Sequence, residues 1–136
     1  MEEPAINITT STVCLTVDDV AASRDFFITH FGYAEAMAAD GFVSLTHPDG
    51  GVSLAIHRRG LPVLPDDLRE QVSRGVIVAF TVTGLEAHQD RLRAAGVPIT
   101  LPLREEPWGE RLFMVADPNG VPVELVEWAT PPAGDA

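Results

Sequence analysis

Short runs of period-two alternation are interrupted twice by a stretch of helical spacing, and that rhythm outlines the architecture. Thr12-Val13-Cys14-Leu15-Thr16-Val17 alternates apolar with small polar residues, the pattern of a half-buried strand. Asp18 and Asp19 follow as candidate helix N-caps, since a short carboxylate accepts from the free N–H groups of a first turn. Val20 to Phe31 predicts a helix with Phe26, Phe27 and Phe31 available for packing, and Gly32 ends it. Strand-like runs around Phe42–Thr46 and Val52–His57 flank the turn signal His47-Pro48-Asp49-Gly50-Gly51. Residues 60–75 break the pattern with two prolines, a charged stretch and a closing glycine, as a linker with one short helical turn would. The strand pattern returns at Val76–Val82, with Thr83 as cap, Leu85–Ala95 as helix and Gly96 as its stop. Pro98–Leu103, Arg111–Ala116 and Val121–Trp128 predict three more strands, the last two joined by Asp117-Pro118-Asn119-Gly120. Residues 1–10 and 129–136 read as loose ends.

The order strand–helix–strand–strand–strand thus occurs twice, and the residues repeat with it. Cys14-Leu15-Thr16-Val17 aligns with Ala79-Phe80-Thr81-Val82 at an offset of 65, and the two turns align at an offset of 70. The expected fold is α+β: one domain spanning 1–136, built from two βαβββ modules at about 11–58 and 76–128 around the 60–75 linker. One helix covers one face of each small sheet, so the other face is left for a partner sheet or a ligand. A cup-shaped mixed sheet with its helices outside is the expected result.

Composition narrows the function. The chain has 136 residues, 46% of them hydrophobic, and no stretch near the roughly 20 apolar residues a membrane span needs. Its net charge of −11 repels phosphate backbones and anionic lipid, so no nucleic-acid or membrane partner is expected. The N-terminus MEEPAINITT shows neither a basic region nor an apolar core, and the single Cys14 suits a reducing compartment, so the expected location is cytoplasmic. No phosphate loop, nucleophile elbow or zinc-finger spacing is present.

Val13–Phe27, Val78–Val97 and Glu106–Leu125, taken with the repeat, resemble the vicinal oxygen chelate superfamily over nearly all of residues 11–128. That group includes glyoxalase I, extradiol dioxygenases, fosfomycin-resistance enzymes and bleomycin-binding resistance proteins. The resemblance implies metal ligands (His, Gln or Glu) on the cup-facing side of the first and last strand of each module. Carried onto this chain, those places fall on Thr12 and Leu54 in the first module and on Ile77 and Glu124 in the second. Only Glu124 is a ligand of the expected type, and one carboxylate cannot supply the three or so protein ligands of a catalytic centre. The expectation is therefore no metal, no cofactor and no catalytic residue.

The metal-free members that the chain resembles most are bleomycin-type resistance proteins, which sequester a drug, usually as homodimers. Pro107-Trp108-Gly109 followed by Arg111 and Phe113 looks like the corresponding stretch there. An indole beside a cleft stacks on a planar ligand at small entropic cost, although the same residue could equally pack at a dimer seam. Strand alternation then places Thr12, Cys14, Thr16, Leu54, Ile56, Ile77, Ala79, Thr81, Glu124 and Val126 on the cup side, with Val13, Leu15, Val17, Val78 and Phe80 under the helices. The candidate ligand-binding set is Thr12, Phe42, Ser44, Ile56, Ile77, Trp108, Met114 and Glu124, the inward sense of Phe42, Leu112, Phe113 and Met114 being open. Glu124 has two readings: receiver of a cationic group or base, or a relic carboxylate bonded to Thr12 or water. The four histidines share no metal-site spacing and read as incidental. The expected function is a cytoplasmic, homodimeric, metal-independent protein that sequesters a bulky, partly aromatic natural product such as a peptide antibiotic. The alternatives are a metal-dependent lyase, isomerase or dioxygenase of the same superfamily, or an accessory protein carrying a biosynthetic intermediate.

Overall fold

A computed structural model describes residues 5–129 and divides the chain into two compact units, separated between Val72 and Ser73. Unit 1 holds β1 (Thr12–Val17), α1 (Val20–Phe31), β2 (Ala34–Ala39), β3 (Phe42–Thr46) and β4 (Ser53–Arg58). Unit 2 holds β5 (Val78–Thr81), α2 (Leu85–Ala94), β6 (Ile99–Glu105), β7 (Glu110–Ala116) and β8 (Pro122–Trp128). The sheets run β1-β4-β3-β2 and β5-β8-β7-β6. In each, the first strand pairs parallel with the last and the other pairs are antiparallel. Both units are therefore βαβββ modules of one α+β design.

In unit 1 the helix is fixed at both ends by local chemistry. Asp19, not Asp18, is the N-cap: its carboxylate accepts from the Ala22 N–H at 3.1 Å. Asp18 instead pairs with Arg59 at 2.9 Å. Gly32 closes the helix at φ 75°, a left-handed conformation that side chains disfavour. Phe26 and Phe27 face the sheet, where Leu15, Val43, Leu45, Leu54 and Ile56 form the other half of the core. Tyr33 packs edge-on to Phe27 and donates its hydroxyl to the Val52 carbonyl at 2.8 Å.

The strand at Ala34–Ala39 has no counterpart among the runs expected from sequence. AEAMAA lacks β-branched and aromatic residues, so nothing local favours a strand. It is extended because it pairs with β3, with a bulge between Glu35 and Met37. The linker carries the expected short turn: the Leu68 and Arg69 N–H groups both donate to the Pro65 carbonyl. Arg69 also reaches the carbonyls of Pro62 and Leu64, which stitches the loop to itself.

In unit 2 the expected cap Thr83 gives way to Gly84, which has no capping side chain of its own. A carboxylate from β8 replaces it. Glu127 accepts from the Gly84 and Leu85 N–H groups at 3.2 Å each, so the free end of α2 is satisfied from 42 residues away. Arg111 lies between Glu127 and Glu86 and pairs with both, with Glu105 a third carboxylate at 3.9 Å, so its one charge is shared among them. Glu127→Ala is expected to cost about 1–2 kcal/mol, because it leaves two N–H groups uncapped and Arg111 short of a partner. Urea denaturation checks it; a loss of only a few tenths would mean that water caps α2 as well.

Candidate functional site

Each sheet has a helix side and an open side, and cross-strand pairing decides which residues share the open one, since paired residues point the same way. In unit 1 the pairs Leu15↔Ile56, Val43↔Ile56 and Leu45↔Leu54 lie on the buried helix side. The open side therefore carries Thr12, Cys14 and Thr16 on β1, Ser53, Ala55 and His57 on β4, and Phe42 and Ser44 on β3. Leu54 and Ile56 face the other way from the cup-side sense expected for them, and both are 0% exposed. The cause is one extra residue in the first turn. Pro48 precedes Ala55 by seven positions, whereas Pro118 precedes Glu124 by six, so the true counterpart of Glu124 is Ala55.

Phe42 and His57 form a tilted ring pair on this open side, with centroids 5.1 Å apart. Burial holds the His57 imidazole below its usual range, with the Ala55 backbone opposing more weakly. Its Nδ1 is buried without a hydrogen bond. Sequence spacing gave His57 no role, because only the β3–β4 register brings it against Phe42. Thr12 sits exposed on the edge strand and Ser44 is half-buried beside Ala55, so Thr12, Phe42 and Ser44 do share one face and Ile56 is excluded from it.

In unit 2 the expected parity holds. Val78, Phe113, Val115, Val123 and Leu125 are buried on the helix side. The open side presents Ala79 and Thr81 on β5, Glu124 and Val126 on β8, and Leu112 and Met114 on β7. Met114 and Glu124 are direct cross-strand neighbours, which brings two members of the candidate set together. Ile77 lies just ahead of β5 and is 53% exposed. Leu112 and Val126 are nearly buried, so they form an apolar floor. Phe113, whose sense was open, belongs to the core.

Glu124 sits half-buried on that floor. Burial raises its pKa first, and the negative charge of Glu110 second. Among the described residues no hydrogen bond or ion pair holds its carboxylate. Trp108 stands in the turn between β6 and β7, 63% exposed, its Nε1–H donating to Glu110 at 3.0 Å. Glu110 has the same strand parity as Leu112 and Met114, so that bond ties the indole to the strand carrying the open face. Glu110 was absent from the candidate set, yet its position two residues after Trp108 on that parity is the signal that finds it. Arg111 and Phe113 are structural: one bridges the carboxylates at α2 and the other fills the core.

The donor set does not fit the divalent metal that the fold class implies. The matched positions offer a Thr12 hydroxyl, the Ala55 methyl, the Ile77 side chain and one Glu124 carboxylate. Among the described residues, no group of three or more His, Cys, Asp or Glu side chains comes together to hold an ion. Among the described residues no helix is long and apolar enough to cross a membrane.

Comparison with known proteins agrees with this geometry. An uncharacterized protein of Mycobacterium bovis is 30% identical over 119 residues, which cover 78% of this chain and 74% of that one. The crystal structure of a glyoxalase/bleomycin resistance protein/dioxygenase from Nocardioides superimposes with a TM-score of 0.75 at 27% identity, covering 98% of this chain and 92% of that one. TioX from Micromonospora sp. ML1 gives a TM-score of 0.68 at 25% identity, covering 88% and 98%. Residues 9–125 match the family described as the Glyoxalase/Bleomycin resistance protein/Dioxygenase superfamily, and the chain belongs to that family.

Proposed function

We propose that this protein binds a bulky, partly aromatic natural product, such as a peptide antibiotic, without a metal, and sequesters it rather than transforming it. The observation that carries the reading is the open face of unit 2. An exposed indole is hydrogen-bonded to Glu110, whose strand carries Leu112 and Met114 on the same face as one half-buried, unpaired carboxylate, Glu124. Binding sites combine an apolar lining with few polar groups in this way, and a tryptophan anchored by its N–H is preorganised for stacking. The bleomycin-resistance branch named in the family's description supports the ligand class, and the poor metal donor set supports binding over Lewis-acid chemistry. The working unit of this reading is a homodimer in the cytoplasm.

Calorimetric titration with bleomycin and a panel of aromatic peptide antibiotics tests it, together with elemental analysis and a mass measurement in the same buffer. The expected result is saturable stoichiometric binding, less than a tenth of a metal per chain (our threshold, on the order of background against a full catalytic site), and recovery of unaltered compound. Trp108→Ala is expected to weaken binding about 30-fold, the effect of losing about 2 kcal/mol from an aromatic anchor, with stability unchanged because the ring is mostly exposed. One tightly held divalent ion per chain, or chelator-sensitive conversion of the compound, would replace this reading with the enzyme one.

A further inference from the structure

Unit 1 contains a recess of about 590 Å³ where residues 9–11 run past the turn between β3 and β4. Five hydroxyl-bearing residues line it: Thr9, Thr10, Ser11, Thr46 and Ser53. Among the described residues its lining includes no Asp, Glu, Lys or Arg, in a chain whose net charge is −11. Among those described residues the one ionisable side chain is His47, and both of its ring nitrogens are engaged. Nε2 lies 2.8 Å from the Phe31 carbonyl oxygen, and Nδ1 accepts from the Asp49 N–H at 3.1 Å with the Asp49 carboxylate 3.9 Å away. Tyr33 packs edge-on against that ring at 5.0 Å and bonds to Val52, so one wall is braced. The opposite wall is tied to β4 by the Ser53 N–H, which donates to the Ser11 carbonyl at 3.1 Å.

The matching turn of unit 2 is built otherwise. There Asp117 is almost fully buried and accepts from the Asn119 and Val121 N–H groups at 2.9 and 2.8 Å, which folds the turn onto its own carboxylate. In unit 1 histidine takes the place of that aspartate, and the turn has one more residue before the last strand. Gly50 and Gly51 both line the recess, and a Cβ at Gly50 would meet nothing within 4 Å. The residue that shifts the strand register thus lies in the wall of the space.

We infer that this recess is a binding site for a neutral polyhydroxylated group such as a sugar, with room for more than one pyranose ring. Hydroxyl groups donate and accept at once, as do the vicinal hydroxyls of a sugar, and half-buried Val52 offers an apolar patch for the C–H face of a ring. The described lining offers no carboxylate, ammonium or guanidinium group as counter-charge to an ionic ligand. The volume lies within the range of small-molecule sites. The site is confined to unit 1 and does not depend on the role proposed for Trp108.

Amide-resolved NMR titration of the whole chain with methyl α-glucoside, methyl α-mannoside and methyl α-galactoside tests it, with inorganic phosphate and putrescine as charged controls. At least one glycoside is expected to shift the amides of Ser11, Thr46, Gly50 and Gly51 saturably in the millimolar range, and neither control is expected to do so. Ser11→Ala with Thr46→Val is expected to raise the apparent Kd about tenfold, the loss of about 1.4 kcal/mol. Ser11→Ala alone, outside any strand, is expected to raise it about threefold should the double variant fail to fold. Trp108→Ala is expected to leave these shifts unchanged. Silence of these amides with all three glycosides would overturn the site, as would stronger shifts with phosphate or putrescine, or an affinity unaffected by removing the hydroxyls.

Discussion

Ile56→Asp is expected to leave unit 1 unfolded at room temperature, whereas Ala55→Ser, one residue away, is expected to change stability by less than about 1 kcal/mol. Ile56 is 0% exposed and lies between Leu15 and Val43 under α1. Removing its side chain forfeits roughly 1.5–3 kcal/mol of burial, and an unpaired carboxylate in its place costs several more. Total stability of a small domain is about 5–15 kcal/mol, so one such change approaches the whole of it. Ala55 has the opposite strand parity, and a hydroxyl there joins the Ser44 and Ser53 side of the sheet. Far-UV circular dichroism during heating checks both. A near-normal melt for Ile56→Asp, with a large loss for Ala55→Ser, would reverse the sides of β4 and restore Ile56 to the ligand face.

That contrast also marks how far the amino-acid pattern reaches. The repeat, both helices and the last three strands are legible because each rests on neighbours in the chain: period-two alternation, a capping aspartate at 19, glycines after the helices. In unit 2 strand parity alone gives Glu124 and Ile77 the same sense, whereas Met114 joins them only through the β7–β8 register. The same counting fails in unit 1, where an extra residue after Gly50 flips every later side chain to the other face. Non-local chemistry is the second gap. Glu127 caps a helix 42 residues earlier, and AEAMAA is a strand only because β3 offers it a partner. His57 and Glu110 were passed over for the same reason, since each acquires its neighbour through strand pairing or a turn rather than through spacing.

Glu124 shows why the open face of unit 2 reads as functional rather than merely unfinished. A carboxyl group whose pKa is raised on folding is destabilising when ionised; the penalty is present above the folded pKa and is relieved as pH falls through it. Burial and Glu110 both act in that direction, and no donor in the described structure offsets them. A hydrophobic residue would serve the fold better at that place. A ligand bearing a hydrogen-bond donor or positive charge would reverse the penalty on binding, which is how perturbed carboxylates come to mark sites. The buried Asp117 is the counterexample within the same unit, since two backbone N–H groups satisfy it and its role is the turn.

Phe27→Ala is expected to remove about 3–5 kcal/mol, the usual range for truncating a buried phenylalanine. The ring is 0% exposed and contacts Phe26, Phe31 and Tyr33 at centroid distances of 5.3, 5.9 and 5.9 Å. Its loss removes area from water-free packing and also frees Tyr33, which braces His47 and bonds to Val52 beside the hydroxyl-lined recess. Both tryptophans, Trp108 and Trp128, lie in unit 2, so their fluorescence follows that unit while circular dichroism follows the sum. In urea the variant is expected to show an early dichroism transition from unit 1. A tryptophan transition at the wild-type midpoint would show that unit 2 folds without unit 1, and one that moves with the dichroism would show that the two are thermodynamically coupled. A loss below about 1 kcal/mol in the dichroism transition of unit 1 would contradict a packing centre at Phe27 and, with it, the rigid Tyr33–His47 wall on which the recess depends.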